Sequence, residues 1–242
     1  MATPDAATTV PFYSGLFGWT APDSGSGYTI LQLDGRDVAG LFELPDEARE
    51  AGAASRWLVY VSADDIGKRL ERVRPAGGSI LAAAFDVPGA GRMAMVADAT
   101  GADFGLWEPW GHEGSAVMGQ PGSLTWTELY TRSRAAAANF YNAVLDWDVE
   151  SVQAGDETFI SCSLEGTPVA GMMEIGAAWG DTPSHWIPYF AVADADGAAA
   201  LADGLGGEVV SPPADTGAGR LAVVRDPLGA LFIVVAEARH AG

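Results

Sequence analysis

Residues 140–147 read Phe140-Tyr141-Asn142-Ala143-Val144-Leu145-Asp146-Trp147, and residues 12–19 read Phe12-Tyr13-Ser14-Gly15-Leu16-Phe17-Gly18-Trp19. Both stretches carry apolar residues at the first, second, fifth and sixth positions, which is one face of a helix, and both close on a tryptophan. They lie 128 positions apart in a chain of 242. A period close to half the length is the signature of an internal duplication.

Outward from these helices the halves carry the same punctuation. Trp57 and Tyr60 match Trp186 and Tyr189, and Gly77-Gly78 match Gly206-Gly207. Asp98 and Gly101 match Asp226 and Gly229, while Val38-Ala39-Gly40 through Glu43 match Val169-Ala170-Gly171 through Glu174. Alternating apolar runs around Asp34-Gly35-Arg36 and around Glu165-Gly166-Thr167 predict hairpins. Each quarter reads β-α-β-β-β, so four modules are expected in two tandem domains, over 1–110 and 122–240. Residues 45–55 read as a polar linker, and the Gly- and Pro-rich stretch 109–122 as the interdomain linker.

Two local features bear on the first module. Pro11 falls where the helix through Phe12 should already be running, and an interior proline costs about 3 kcal/mol. The helix is therefore expected to start near Thr9, as an N-cap, rather than at Asp5. Aligning Phe12 with Phe140 also sets Met1 opposite Leu129, so a strand matching Leu124–Glu128 has no counterpart. The N-terminal domain is expected to lack its first strand, leaving an edge that another segment must cover.

Composition narrows the function classes. Asp and Glu outnumber Lys and Arg by 32 to 13, a net charge of −19. Such a surface repels phosphate backbones and anionic headgroups, so no nucleic-acid or membrane partner is expected. With 48% hydrophobic residues each half can build a core. Cys162 is the only cysteine, which rules out an intrachain disulfide and a cysteine-based zinc site. The N-terminus has neither a basic start nor an apolar segment, so a cytoplasmic protein is expected. No phosphate-binding glycine loop or serine nucleophile elbow appears, and Gly25-Ser26-Gly27 is a loop signal only.

The pairs FYSGLFGW and FYNAVLDW, WLVYVSADD and HWIPYFAVADAD, and DATGADFGLW and DPLGALFIVV resemble the vicinal oxygen chelate superfamily. That superfamily includes glyoxalase I, bleomycin-resistance proteins and extradiol dioxygenases. The chain is similar in particular to its tandem-domain, glyoxalase-like or hydroxylase-type actinobacterial members. The resemblance implies an α+β fold in which paired βαβββ modules curl into a U-shaped mixed sheet, with helices on the convex side and ligand in the concavity. Metal-using members carry ligands on the first strand of each module and on a last strand.

Strand alternation then assigns faces. Trp126, Glu128 and Tyr130 should face the concavity, with Leu129 and Thr131 beneath the helix. His185, Ile187 and Tyr189 should also turn inward, as should Ile233 at the position of the family's last-strand glutamate. In the first half Tyr60 and Trp107 face inward, but Arg56 stands where His185 does and Gly105 where Ile233 does, so no metal set is expected there. Trp57 and Trp186 should pack beneath the helices. His112 and His240, in linker and tail, are expected in solvent.

The leading expectation is a protein that binds a hydrophobic, aromatic small molecule, an antibiotic or a metabolite, for sequestration or as a biosynthetic accessory. No cofactor is expected. The alternative is an enzyme, a glyoxalase-like lyase or a metal-dependent oxygenase or hydroxylase, with a divalent metal on Glu128, Glu174 and His185 of the C-terminal domain. A homodimer is compatible with either reading.

Overall fold

The computed structural model describes residues 1–22, 27–154 and 157–237. Gly25, Ser26 and His240 lie outside the described residues. In chain order the first half forms β1 (Ala2–Thr3), α1 (Ala6–Phe17), β2 (Tyr28–Leu33), β3 (Arg36–Glu43) and α2 (Asp46–Glu50). It continues with β4 (Tyr60–Ser62), α3 (Ile66–Val73), β5 (Ser79–Val87), β6 (Gly91–Ala97) and β7 (Asp103–Pro109). The second half holds β8 (Leu124–Thr131), α4 (Arg134–Leu145), β9 (Asp148–Ala154), β10 (Glu157–Leu164) and β11 (Thr167–Glu174). After a 3₁₀ turn at Ala177–Trp179 come β12 (His185–Ala191), α5 (Ala195–Gly204), β13 (Glu208–Thr216), β14 (Gly219–Arg225) and β15 (Leu231–Ala236). The fold is mixed α+β, and among the described residues no helix is long and apolar enough to cross a membrane.

Packing groups the modules into two compact units. One comprises Met1–Trp57, Gly114–Thr125 and Pro188–Gly242, and the other Leu58–Glu113 and Trp126–Ile187. Each unit thus takes one module from each half of the sequence, and the boundaries fall inside β8 and β12.

In the second unit, β4-β7-β6-β5 form a four-stranded sheet, and β8-β11-β10-β9 run as consecutive neighbours. β4 is parallel to β7, and β8 is parallel to β11, with Gly171 opposite Glu128 and Glu174 opposite Thr131. Between them lies a core of Phe104, Leu106, Leu129, Phe140, Tyr141, Val144 and Trp186. Phe140, Tyr141, Val144 and Leu145 form the buried stripe of α4 that the repeat predicted. Ser133 caps the start of α4, accepting from the Ala136 amide. Asp146 ends it in the left-handed region at φ 58°, a conformation aspartate adopts more readily than most residues, and pairs there with Arg69 and Arg72.

The first unit repeats this plan. β1-β3-β2 form one sheet and β13-β14-β15-β12 run as neighbours, around Phe12, Tyr13, Phe17, Trp19, Phe190 and Phe232. Tyr13 stacks on Trp19 at 5.5 Å and 19°, as Tyr141 does on Trp147 at 5.4 Å and 18°. Trp57 and Trp186 lie beneath the helices as expected, donating from Nε1 to the hydroxyls of Tyr13 and Tyr141 at 3.0 and 2.9 Å.

Three expectations need correction. Helix α1 starts at Asp5, not Thr9: the Asp5 carboxylate accepts from Ala7 N and from the Thr8 hydroxyl, and Thr9 is buried within the helix. Burial of Phe12, Tyr13 and Phe17, about 1.5–3 kcal/mol each, outweighs the cost of Pro11 in the helix interior. The first strand of the N-terminal domain is not wholly missing. Ala2 and Thr3 pair with Phe42 and Glu43, in the same register as Tyr130 and Thr131 with Met173 and Glu174. Residues 45–55, read as a linker, contain the short helix α2. Strand β9 completes the β-α-β-β-β order of its quarter, although no stretch of sequence was assigned to it. It pairs antiparallel with β10, from Asp148 opposite Ser163 to Ala154 opposite Glu157.

Candidate functional site

On β8 the buried Leu129 and Thr131 turn toward the core, which leaves Trp126, Glu128 and Tyr130 on the opposite face. Parallel pairing sets Gly171 beside Glu128 on that face. A Cβ placed on Gly171 would meet Trp126 Nε1 and Glu128 Oε1, each at 3.0 Å. An indole donor and a carboxylate acceptor therefore meet over the buried Gly171, where only the lack of a side chain leaves room for them. At the matching glycine of the first half, Gly40, a Cβ would lie 2.0 Å from the Tyr28 hydroxyl oxygen.

Tyr130 is itself buried, and two rings pack against it on this face. His185 stacks on its ring at 5.4 Å and 12°, and Trp179 lies 5.6 Å away on a 50° tilt. His185 Nδ1 lies 2.9 Å from the Pro183 carbonyl oxygen, which can only accept, so Nδ1 carries the proton. In the neutral ring Nε2 then holds the lone pair. Trp179 was missed in the sequence because its loop, rich in Gly, Asp and Pro, reads as a linker. A large aromatic left exposed in a loop was the available signal.

The remaining predicted residues do not all join this group. Ile187 is buried, and Tyr189 and Ile233 are buried partners opposite one another in the first unit. Tyr60 and Trp107 lie on the other sheet of the second unit. The Tyr60 ring covers Gly105, and Trp107 covers Gly91 while donating from Nε1 to His112 O at 2.8 Å. His112 itself is half-buried, 6.2 Å from the Trp107 ring, rather than free in solvent.

Glu174 is on the wrong face for the suggested metal set. Its register partner is Thr131, so it points away from Glu128, and its Oε1 accepts from Arg134 N at 3.4 Å at the start of α4. Glu43 does the same for Ala6 N at 3.1 Å at the start of α1. The repeated glutamate is thus a helix-start acceptor in both halves. Glu128 and the Nε2 of His185 are left as candidate donors, whereas a protein metal site needs three or four. Among the described residues no group of three or more His, Cys, Asp or Glu side chains lies together. The residues present do not fit a complete metal centre.

Nor is Cys162 a nucleophile. Burial, and secondarily the charge of Glu128, push its thiol up to about 12. What remains is a face of flat rings with one acceptor and one indole donor, chemistry suited to holding an aromatic molecule that bears a hydroxyl or carbonyl.

Among the described residues the first module is βαββ and the other three are βαβββ, and this tandem order is that of the glyoxalase and dioxygenase class of fold. The chain belongs to the Glyoxalase/Bleomycin resistance protein/Dioxygenase superfamily, matched over residues 1–106 and 123–234. It is 39% identical to the anthracycline biosynthesis protein DnrV of Streptomyces peucetius, over 97% of this chain and 90% of that protein. It is 37% identical to CFP32 of Mycobacterium tuberculosis, provisionally named a glyoxylase, over 98% of this chain and 93% of that protein. Among solved structures, the Mn(II)-bound glyoxalase of Novosphingobium aromaticivorans superposes with a TM-score of 0.67 at 14% identity. That match covers 98% of this chain and 79% of that one, and shows a shared fold.

Proposed function

We propose that this chain binds a flat, hydrophobic aromatic small molecule on the β8 face, for sequestration or as an accessory in biosynthesis, without metal chemistry. The observation that carries this reading is the arrangement about Gly171. Trp126 and Glu128, both half-buried, meet over Gly171, and His185 stacks on the buried Tyr130 ring on the same face. A planar ligand would stack on the accessible rings of this face, with the indole N–H and carboxylate orienting its polar substituents. The name of DnrV, which ties that relative to anthracyclines, supports a polycyclic aromatic ligand. The register of Glu174 supports the metal-free part, because it removes one of the three suggested donors from the face.

Calorimetric titration with quinizarin, a dihydroxyanthraquinone, tests the reading. Saturable binding is expected, weakened about tenfold or more by Trp126→Ala, the loss of one well-packed aromatic contact. Binding that Trp126→Ala and Tyr130→Ala both leave unchanged contradicts the assignment of the face.

A further inference from the structure

The loop between β11 and β12 is held by one side chain. Arg132 Nε donates to Thr182 O at 2.8 Å and Nη1 to Gly176 O at 3.4 Å, and Nη2 bonds Gly180 O. The Arg132 amide donates to the Ser184 hydroxyl at 3.0 Å. Within the loop the Thr182 hydroxyl donates to Trp179 O at 2.7 Å, closing a turn that presents the indole. Three carbonyls converging on a planar guanidinium make a clamp that an ammonium on a flexible stem cannot reproduce. The clamp spans both ends of the loop, with Trp179 between them.

Trp179 and His185 both pack on the Tyr130 ring, and Trp179 keeps 47% of its surface exposed. An exposed indole in a loop ordinarily loses conformational freedom only against a cost, which the three bonds from Arg132 offset. The exposed ring is therefore pre-positioned beside Tyr130, where it adds accessible aromatic surface to the buried phenol.

We propose that Trp179 selects ligand size by stacking on the outer ring of a polycyclic aromatic, and that Arg132 is the positioning residue that holds it there. This rests on the ligand-binding reading above and adds a substrate class to it, fused polycyclic aromatics over single rings. A one-ring ligand held by Trp126 and Glu128 is complete without Trp179. A ligand of three fused rings gains a further stacking surface from it.

The test compares quinizarin, with three fused rings, and salicylamide, a single ring with an adjacent hydroxyl and carbonyl, by calorimetry on the full chain. Trp179→Ala is expected to weaken quinizarin about tenfold, a typical single aromatic contact, and to leave salicylamide within about twofold. Trp179→Phe should keep most of the quinizarin affinity. Arg132→Gln should reproduce the selective loss, and Arg132→Lys should restore only part of it. Equal effects of Trp179→Ala on both ligands, or none on either, overturn the size-selection proposal while leaving the binding reading intact. Failure of the unsubstituted protein to bind either compound overturns both. Because Trp179 is exposed, its alanine variant folds even where the Arg132 variants do not.

Discussion

Tyr141 donates its hydroxyl hydrogen to Asp98 Oδ2 across 3.0 Å, inside a core where both side chains are buried. The same carboxylate closes the turn before β7, accepting from Thr100 N and Ala102 N at 2.6 and 3.1 Å. Tyr13 and Asp226 repeat the bond at 3.2 Å in the first unit, where Asp226 accepts from Leu228 N and Ala230 N. Each bond joins a repeat helix to a turn in a module of the other half of the sequence, which explains why each compact unit draws on both halves.

Removing either hydroxyl leaves Asp98 or Asp226 one buried partner short. Tyr141→Phe and Tyr13→Phe should each cost about 1–3 kcal/mol, measured by urea unfolding. Equal costs within error are expected from the matched geometry, and a neutral result for both would show the networks to be incidental.

The same two phenols set an alkaline limit. Burial first, then the adjacent aspartate, raises both well above the ordinary 10.0. A folded-state pKa above the unfolded one means that the folded protein keeps protons which the unfolded chain loses. Stability is therefore full below pH 10.0 and falls as pH rises past it. Unfolding free energy followed through that range should decline, and Tyr141→Phe and Tyr13→Phe should flatten the decline.

Gly78 and Gly207 close the turns after α3 and α5. A Cβ on Gly78 would meet the Phe140 ring at 2.4 Å and Ala97 O at 2.5 Å. On Gly207 the contacts are Arg225 O at 2.8 Å and the Phe12 ring at 3.0 Å. Backbone oxygens cannot step aside, so Gly78→Ala should destabilise by about 1–3 kcal/mol or more, and by more than Gly207→Ala. Thermal unfolding of the two variants gives the ranking.

How much was legible in the sequence follows from what each residue answers to. The helix stripe, the glycine pairs and the two aspartate turns are local signals repeated twice, and the repetition made them readable. Pro11 was misread because its local cost is smaller than the burial of three aromatics around it. Strand β9 lies on the outer edge of its run of strands, and its sequence DVESVQA breaks alternation at Glu150-Ser151, a weak pattern beside a helix end. The face of Glu174 depends on its parallel register with β8, and the place of Trp179 on three carbonyls reaching Arg132. Neither can be read from spacing within one strand or loop.

Glu128 and Glu174 separate the site from its scaffold. Glu174→Ala removes one partly exposed acceptor from the α4 start and should cost no more than about 1 kcal/mol while leaving quinizarin affinity unchanged. Glu128→Gln should alter affinity several-fold with little change in stability, since it keeps the shape and removes the charge. Parallel calorimetry and unfolding of both variants distinguish these roles.

The most direct test is quinizarin titration of protein dialysed against a chelator, beside metal analysis of the same sample. Undiminished affinity in metal-free protein, weakened about tenfold by Trp126→Ala, is the predicted result. Near one equivalent of tightly held divalent metal, lost in His185→Ala together with ligand binding, would contradict it.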